Sequence, residues 1–477
     1  MANIDWPWAI VLCKWSDKPA ETRPAQYYVD FYTRNGLGGV CDYWRTVSAY
    51  GLDLTRSRVF GWFTMNHAST ELTQLHFPGD RNTLVQWGID TAQANGVNLS
   101  AFRQTLVVHN YGVDHGAAGN GVLIVHGDPA VCEFGFICHE MGHGFGLPHS
   151  FAADPDWEYG DGWDVMSFAT TTPLFQIVFQ GSAGWATVGV NARNLDALGA
   201  LPAGRAWTPA GNDFSDAVTL DPLNQPPMGN HGYLVARIPP TATNPPRPSG
   251  SRYELEFHHR AGWDRVVAQD AVLVHEVRTN TLSYLHRTAL FAGSQYVTPA
   301  PEVYVRVTAI DAAEGTASIR LWNLPEHSVR KEDSKPSVFQ ITGGQKRHIT
   351  SPAALFALGY TWADVRSVPD GALDVLPTGT PLSMLTATIS PHPVPLNHAA
   401  QFTVAATDIG SGAPVAGDVE IDGHVVGATN TPFTYTFRLK RIRVRDPDGG
   451  WTFELVAPIA VVSAAGYPDA PLDLGLD

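Results

Sequence analysis

Residues 139–150 read HEMGHGFGLPHS, placing three histidines and a glutamate within twelve positions. On a helix, positions i and i+4 lie on one face about 5–6 Å apart, so His139 and His143 can share one ion. Gly146 lets the backbone leave the helix through a conformation that other residues resist, which swings His149 round as a third ligand. Three imidazoles leave a tetrahedral zinc one open position for water. Glu140 neighbours His139 in sequence but faces that open side, where a carboxylate can take a proton from the zinc-bound water. The spacing H-E-x-x-H-x-x-G-x-x-H fixes five positions, which coincide by chance in a chain of this length about once in ten thousand. A glycine-rich surface turn is therefore a poor account of it. A purely structural zinc site is the stronger bland reading, but such sites close all four positions with protein ligands.

A second stretch, EYGDGWDVMS (158–167), sets Met166 seventeen residues after His149. A methionine beneath the histidines offers a soft apolar floor that packs the ligands without competing for the ion. With HEMGHGFGLPHS, this stretch resembles the gametolysin-like metzincin zinc peptidases, with looser similarity to immune inhibitor A peptidases. DYWRTVSAYGLDLTRSRVFGWFTM upstream and YELEFHHRAGWDRVVAQDAVLVHEV downstream are similar to the flanking segments of the same families. The resemblance covers roughly residues 5–325. It implies a zinc endopeptidase with ligands His139, His143 and His149, Glu140 as general base and Met166 in a Met-turn. His149 favours the gametolysin side, since the immune inhibitor A group often has a carboxylate there. Where some metzincins carry a tyrosine two residues after the Met, this chain has Phe168, leaving Tyr159 and His126 as the candidate oxyanion donors.

The elements that must hold these residues can be read outward from the motif. AIVLCKW (9–15), SRVFGWFTM (57–65), QTLVVHNYG and NGVLIVHG (120–127) read as apolar strands, and RNTLVQWGIDTAQANG (81–96) as a helix ending at Gly96. The active-site helix is expected to start with Asp128 as N-cap and Pro129 in its first turn. NGVLIVHG is the expected edge strand for an extended peptide, so Gly121, Leu123 and Val125 join Tyr159 and Phe168 as expected substrate-binding residues. Helix and strand alternate over 1–150, which predicts an α/β or α+β domain with a mixed sheet; the resemblance implies that this belongs to an α+β, metzincin-like catalytic domain over 1–205. Short alternating strands between Pro- and Gly-rich turns predict a β-sandwich over 206–327. Residues 328–382 form a small α/β module, with a hairpin turning at Gly343-Gly344 and a helix opening at Ser351-Pro352. Residues 383–477 read as an Ig-like β-sandwich.

Composition narrows the partners. The chain has 477 residues with 31 basic against 46 acidic groups, a formal charge of −15 and no long Lys/Arg run, which argues against nucleic acid. No stretch approaches the ~20 apolar residues of a membrane span. The start, MANIDWPWAIVLCKWSD, lacks the pattern of a signal peptide. With charged residues at only 16% and Thr, Ser, Gly and Pro in their place, an extracellular or cell-surface protein is nevertheless expected. Its partners would be a protein or peptide substrate and an extracellular glycoprotein met through the C-terminal β-domains. Asp154, Asp156, Glu158, Asp161 and Asp164 cluster as possible Ca2+ ligands, set against the simpler reading of a solvated acidic loop. Cys13, Cys41, Cys132 and Cys138 permit two disulfides without demanding them. The competing function is an adhesion or binding protein that keeps a protease-like zinc domain as scaffold.

Overall fold

The computed structural model describes residues 4–112, 114–127, 132–167, 187–225, 232–240, 251–278, 281–286, 289–299, 302–382, 384–409, 411–445, 451–465, 467 and 469–476. The chain divides into two compact units, residues 1–323 and 324–477.

The first unit begins with β1 (Ile4–Asp5), β2 (Trp8–Lys14), α1 (Ala25–Thr33), α2 (Val40–Val47), β3 (Leu52–Asp53), β4 (Arg58–Thr64) and α3 (Arg81–Ala94). It continues with β5 (Gln104–His109), β6 (Gly116–Ala118), β7 (Gly121–Val125) and α4 (Phe134–Gly144). The central sheet has the order β4-β2-β5-β7-β6, parallel except for β6, which pairs antiparallel with β7. Both faces are covered, which is why WAIVLCK is apolar at nearly every position rather than alternating. Trp8, Ile10 and Leu12 pack with α1, α2 and α4 on one face, whereas Val11 and Cys13 pack with Leu84, Val85 and Ala92 of α3 on the other.

Three expectations are corrected in this unit. β7 is not the edge of the sheet, because β6 covers it. Gly121, Leu123 and Val125 are accordingly buried, with Leu123 packed under α3. The helix that carries His139 and His143 starts later than expected, at Phe134 with Glu133 as its cap position, and Asp128 and Pro129 lie outside the described residues. The divide expected at residue 205 falls inside one compact unit.

The reason for the last difference lies in the second sheet. After α4 come β8 (Phe151–Ala153), β9 (Asp156–Glu158), α5 (Ala192–Ala197), β10 (Ala206–Trp207), β11 (Ser215–Leu220), β12 (Val235–Ile238), β13 (Arg252–His258), β14 (Ala271–Val277) and β15 (Ser283–Leu285). The hairpin β8–β9, directly after the third histidine, joins a seven-stranded sheet of order β10-β12-β13-β14-β15-β8-β9. β16 (Gln295–Val297), β17 (Tyr304–Asp311) and β18 (Thr316–Trp322) form a four-stranded sheet with β11. The two sheets enclose a sandwich core of alternate residues such as Leu255, Phe257, Val274, Val305 and Ile319. The opposite face of the larger sheet is buried as well. Val235, Trp263 and Val267 from this half share one core with Trp8, Trp44 and Met166.

The second unit starts with β19 (Val329–Glu332), β20 (Val338–Thr342), β21 (Gln345–Ile349), α6 (Pro352–Ala357) and β22 (Val365–Val368). β20 and β21 turn at Gly343 and Gly344, both at positive φ, and Ser351 Oγ accepts from Ala354 N at 3.1 Å to cap α6. Residues from Leu385 onward form a three-stranded and a four-stranded sheet around one apolar core, together with a two-stranded ribbon, Lys440–Arg445 with Trp451–Val456. Among the described residues no helix is long and apolar enough to cross a membrane.

Candidate metal centre

α4 carries the first two histidines into a packed environment, with only Phe136 and His143 of its residues less than fully buried. Its approach to the floor depends on glycine. A Cβ on Gly142 would collide with Met166 Sδ, so only a residue without a side chain lets the buried Met166 pack against the helix at this point. The helix ends at Gly144 with Phe145 as its C-cap, and Gly146 just beyond it has a φ of +85°. Gly146 N donates to His143 O at 2.8 Å and Leu147 N to Gly142 O at 3.0 Å, the paired bonds of a Schellman cap. That turn reverses the chain and returns His149 to the same cleft.

The three Nε2 atoms converge, 3.1 Å between His143 and His139 and 2.9 Å between His143 and His149. Each Nδ1 has an acceptor of its own. His139 Nδ1 donates to Val165 O at 2.8 Å, His143 Nδ1 to Leu147 O at 2.8 Å, and His149 Nδ1 to Glu158 Oε1 at 2.6 Å. With protons fixed on Nδ1, three bare Nε2 lone pairs face one another, an arrangement that repels unless a cation lies between them. Burial, then the neighbouring His143, pushes His139 down to about 3, and burial lowers His143 too, both in the direction that keeps Nε2 bare for a metal. Tetrahedral zinc at its usual bond length needs nitrogens about 3.3 Å apart, close to what is found. Among the described residues these three histidines are the group that could hold a metal ion.

Glu140 points into the same cleft of about 630 Å³, which is also lined by Arg81, Asn82, Ala117, Ala118, Gly119, Phe136 and Tyr159. Its Oε2 accepts from Ala117 N on β6 at 2.6 Å. Burial raises its pKa to about 7, against the lowering effects of that bond and of Arg81. Arg81 is clamped by Asp114 through Nε at 2.6 Å and Nη2 at 3.0 Å. Tyr159, at φ +66°, sets its ring 4.3 Å from that of His149.

The expected residues thus separate into two groups. His139, Glu140, His143, His149 and Tyr159 meet in one cleft, with Met166 beneath it. Gly121, Leu123 and Val125 do not line the cleft; β6 takes their place. His126 does not line it either. Phe168 lies outside the described residues. The acidic cluster does not converge on one point: Asp156 pairs with Arg278, Glu158 with His149, Asp161 with His275, and Asp164 with Ser150 and Asn194. All four cysteines are free buried thiols.

Sequence reasoning missed Glu158 as the partner of His149, along with Arg81, Asp114 and the short strand β6. The alternation in FAADPDWE was the available signal for Glu158, since a hairpin turning at 154–155 sets Glu158 opposite Phe151, two residues from His149. No protein-family model matches the chain, and no curated protein matches it.

Proposed function

We propose that this protein is a zinc-dependent endopeptidase of the metzincin type, gametolysin-like, acting on protein substrates outside the cell or at its surface. One observation carries the reading. Three Nε2 atoms converge while all three Nδ1 atoms are held by acceptors, and a buried carboxylate shares their cleft. Three imidazoles with no fourth protein ligand among the described residues suit a catalytic zinc better than a structural one. His139, His143 and His149 would hold a zinc ion, which would supply polarisation of the substrate carbonyl and a bound water with a pKa near neutrality.

The chain's own residues supply the rest. Glu140 takes the proton of the attacking water and returns it to the leaving amine, a role that requires its ionised form. The Ala117 amide holds one of its oxygens and so aims the other into the cleft. β6 has no strand on its outer side among the described residues. An extended peptide pairs along it through the edge groups that Glu140 leaves open. Tyr159 supplies a hydroxyl toward the oxyanion, the part Phe168 cannot play.

Casein hydrolysis abolished by a chelator and restored by zinc is the expected result, with one zinc per chain by elemental analysis. Full zinc occupancy in the His143→Ala protein would remove the ligand assignment.

A further inference from the structure

The large sheet of the first unit turns a charged face inward. On β13, Tyr253, Leu255 and Phe257 enter the sandwich core, which leaves Glu254, Glu256 and His258 on the opposite face. On β14 the same alternation sends Val272 and Val274 to the core and His275 to the other side. These polar groups are not solvated, for Glu256, His258 and His275 are essentially inaccessible to water. They form a chain with residues around the Met-turn. His275 Nε2 meets Asp161 Oδ2 at 2.9 Å, and its Nδ1 lies 3.6 Å from Glu256 Oε1. His258 Nε2 then meets Glu256 Oε1 at 2.9 Å, and its Nδ1 meets Asp264 Oδ2 at 2.9 Å.

Both ends of this chain close on the segment that carries Met166. Asp161 Oδ1 accepts from Trp163 N at 3.1 Å, and the Asp161 amide donates to Ser167 Oγ at 2.8 Å. Asp264 Oδ1 accepts from Gly189 N at 2.7 Å, while Gly189 O accepts from Val165 N at 2.8 Å. Val165 O is the acceptor that orients His139. The same sheet also holds the third ligand's partner. β15 pairs with β8 at Tyr284–Phe151 and Leu285–Ala152, and Arg278 grips Asp156 beside Glu158. Holding a sheet in place needs only apolar contact, and buried ion pairs are poor at adding stability. Directional bonds that fix the Val165 carbonyl are what apolar contact cannot supply.

We propose that His275 and His258 are positioning residues for the metal centre, setting the Met-turn and through it His139 from a sheet formed by later chain. This proposal rests on the zinc reading above, deepens it, and extends the site to residues more than a hundred positions beyond the motif.

The test reads zinc affinity on the full chain by competition with a chromophoric chelator, so it does not depend on peptidase activity. His275→Gln and the nearly isosteric Asp161→Asn should each weaken zinc about tenfold, the low end for groups that orient metal ligands. The double variant should be no worse than either alone, because the two share one interaction. Val274→Ala, a neighbour of His275 on the sandwich side, should lower Tm and leave zinc affinity within about twofold, since its effect is a cavity rather than a misplaced carbonyl. Unchanged zinc affinity in Asp161→Asn and His275→Gln overturns the proposal, as does an equal loss in Val274→Ala. A parent protein that takes up no zinc overturns the metal reading and this proposal with it. A zinc-binding parent whose affinity these variants leave unmoved overturns the proposal alone.

Discussion

Glu158 is half exposed, yet it makes one of the shortest contacts of the site, 2.6 Å to His149 Nδ1. A carboxylate on the far nitrogen fixes the tautomer and makes the imidazole a stronger donor to metal. Glu158→Gln keeps the shape of this side chain and removes its charge. Zinc affinity, read by chelator competition, is predicted to fall about tenfold to a hundredfold. A variant that holds zinc as tightly as the parent would show the contact to be incidental. At this scale the sequence was informative where spacing encodes geometry. His139 and His143 at i, i+4 and Gly146 at a helix end leave few alternatives, and all three occupy the expected conformations. It did not point to Glu158 as the partner of His149, nor to Arg81 with Asp114, because strand pairing and packing, not spacing, bring Glu158 to His149 and Arg81 to the cleft.

Among the elements, β13 and β14 were the most misleading to read. RYELEFHHR and AVLVHEVR alternate as strands with one wet face should, and they are strands. Their charged face is instead covered by the chain around Met166, so a pattern that normally marks solvent here marks an internal polar layer. Burial alone would lower His258, but Asp264 and Glu256 outweigh it and hold the imidazole up at about 10. Burial likewise opposes Glu256 and Asp161 at His275, which is held up at about 9. Burial and Asp161 also keep Asp164 above the usual carboxylate range. Both histidines are raised above the ~6.5 of an unfolded chain. Their contribution to stability is therefore complete below about 6.5 and is lost as pH rises through 9 to 10. Thermal melts between pH 7 and 10.5 should show Tm falling steadily from about pH 7 and levelling off above about pH 10, and His275→Gln should flatten the fall. An equally steep fall in the variant would place the alkaline loss elsewhere. NGVLIVHG was misread for a related reason. An apolar run of that length fits an edge strand or a buried one, and the three residues of β6, too short to announce themselves, decide between them.

For the whole molecule, the compact units set what can be cut away. The histidine cluster that could hold a metal, the strand pairing β8–β15 and the layer from Asp161 to Asp264 all lie within residues 1–323. A chain ending at Asn323 should fold, bind one zinc and cleave a short peptide at close to the parent rate. A chain ending at residue 205 loses β10–β18 and uncovers Tyr43 and Phe134, against which Trp263 packs in the shared core; it should not yield soluble, zinc-loaded protein. A soluble, active 1–205 fragment would refute this account of the sheet. Composition and strand texture had announced several β-rich parts, but the boundary at 205 followed a change in local pattern, whereas the units follow packing between segments far apart in sequence. The measurement that bears most directly on the central claim compares the parent with Glu140→Gln, both assayed for bound zinc and for hydrolysis of casein and of a short peptide. The account predicts one zinc per chain in both proteins and hydrolysis by the parent alone, since the variant lacks only the proton acceptor. Hydrolysis by Glu140→Gln at the parent rate, or a fully zinc-loaded parent that cleaves neither substrate, would contradict it.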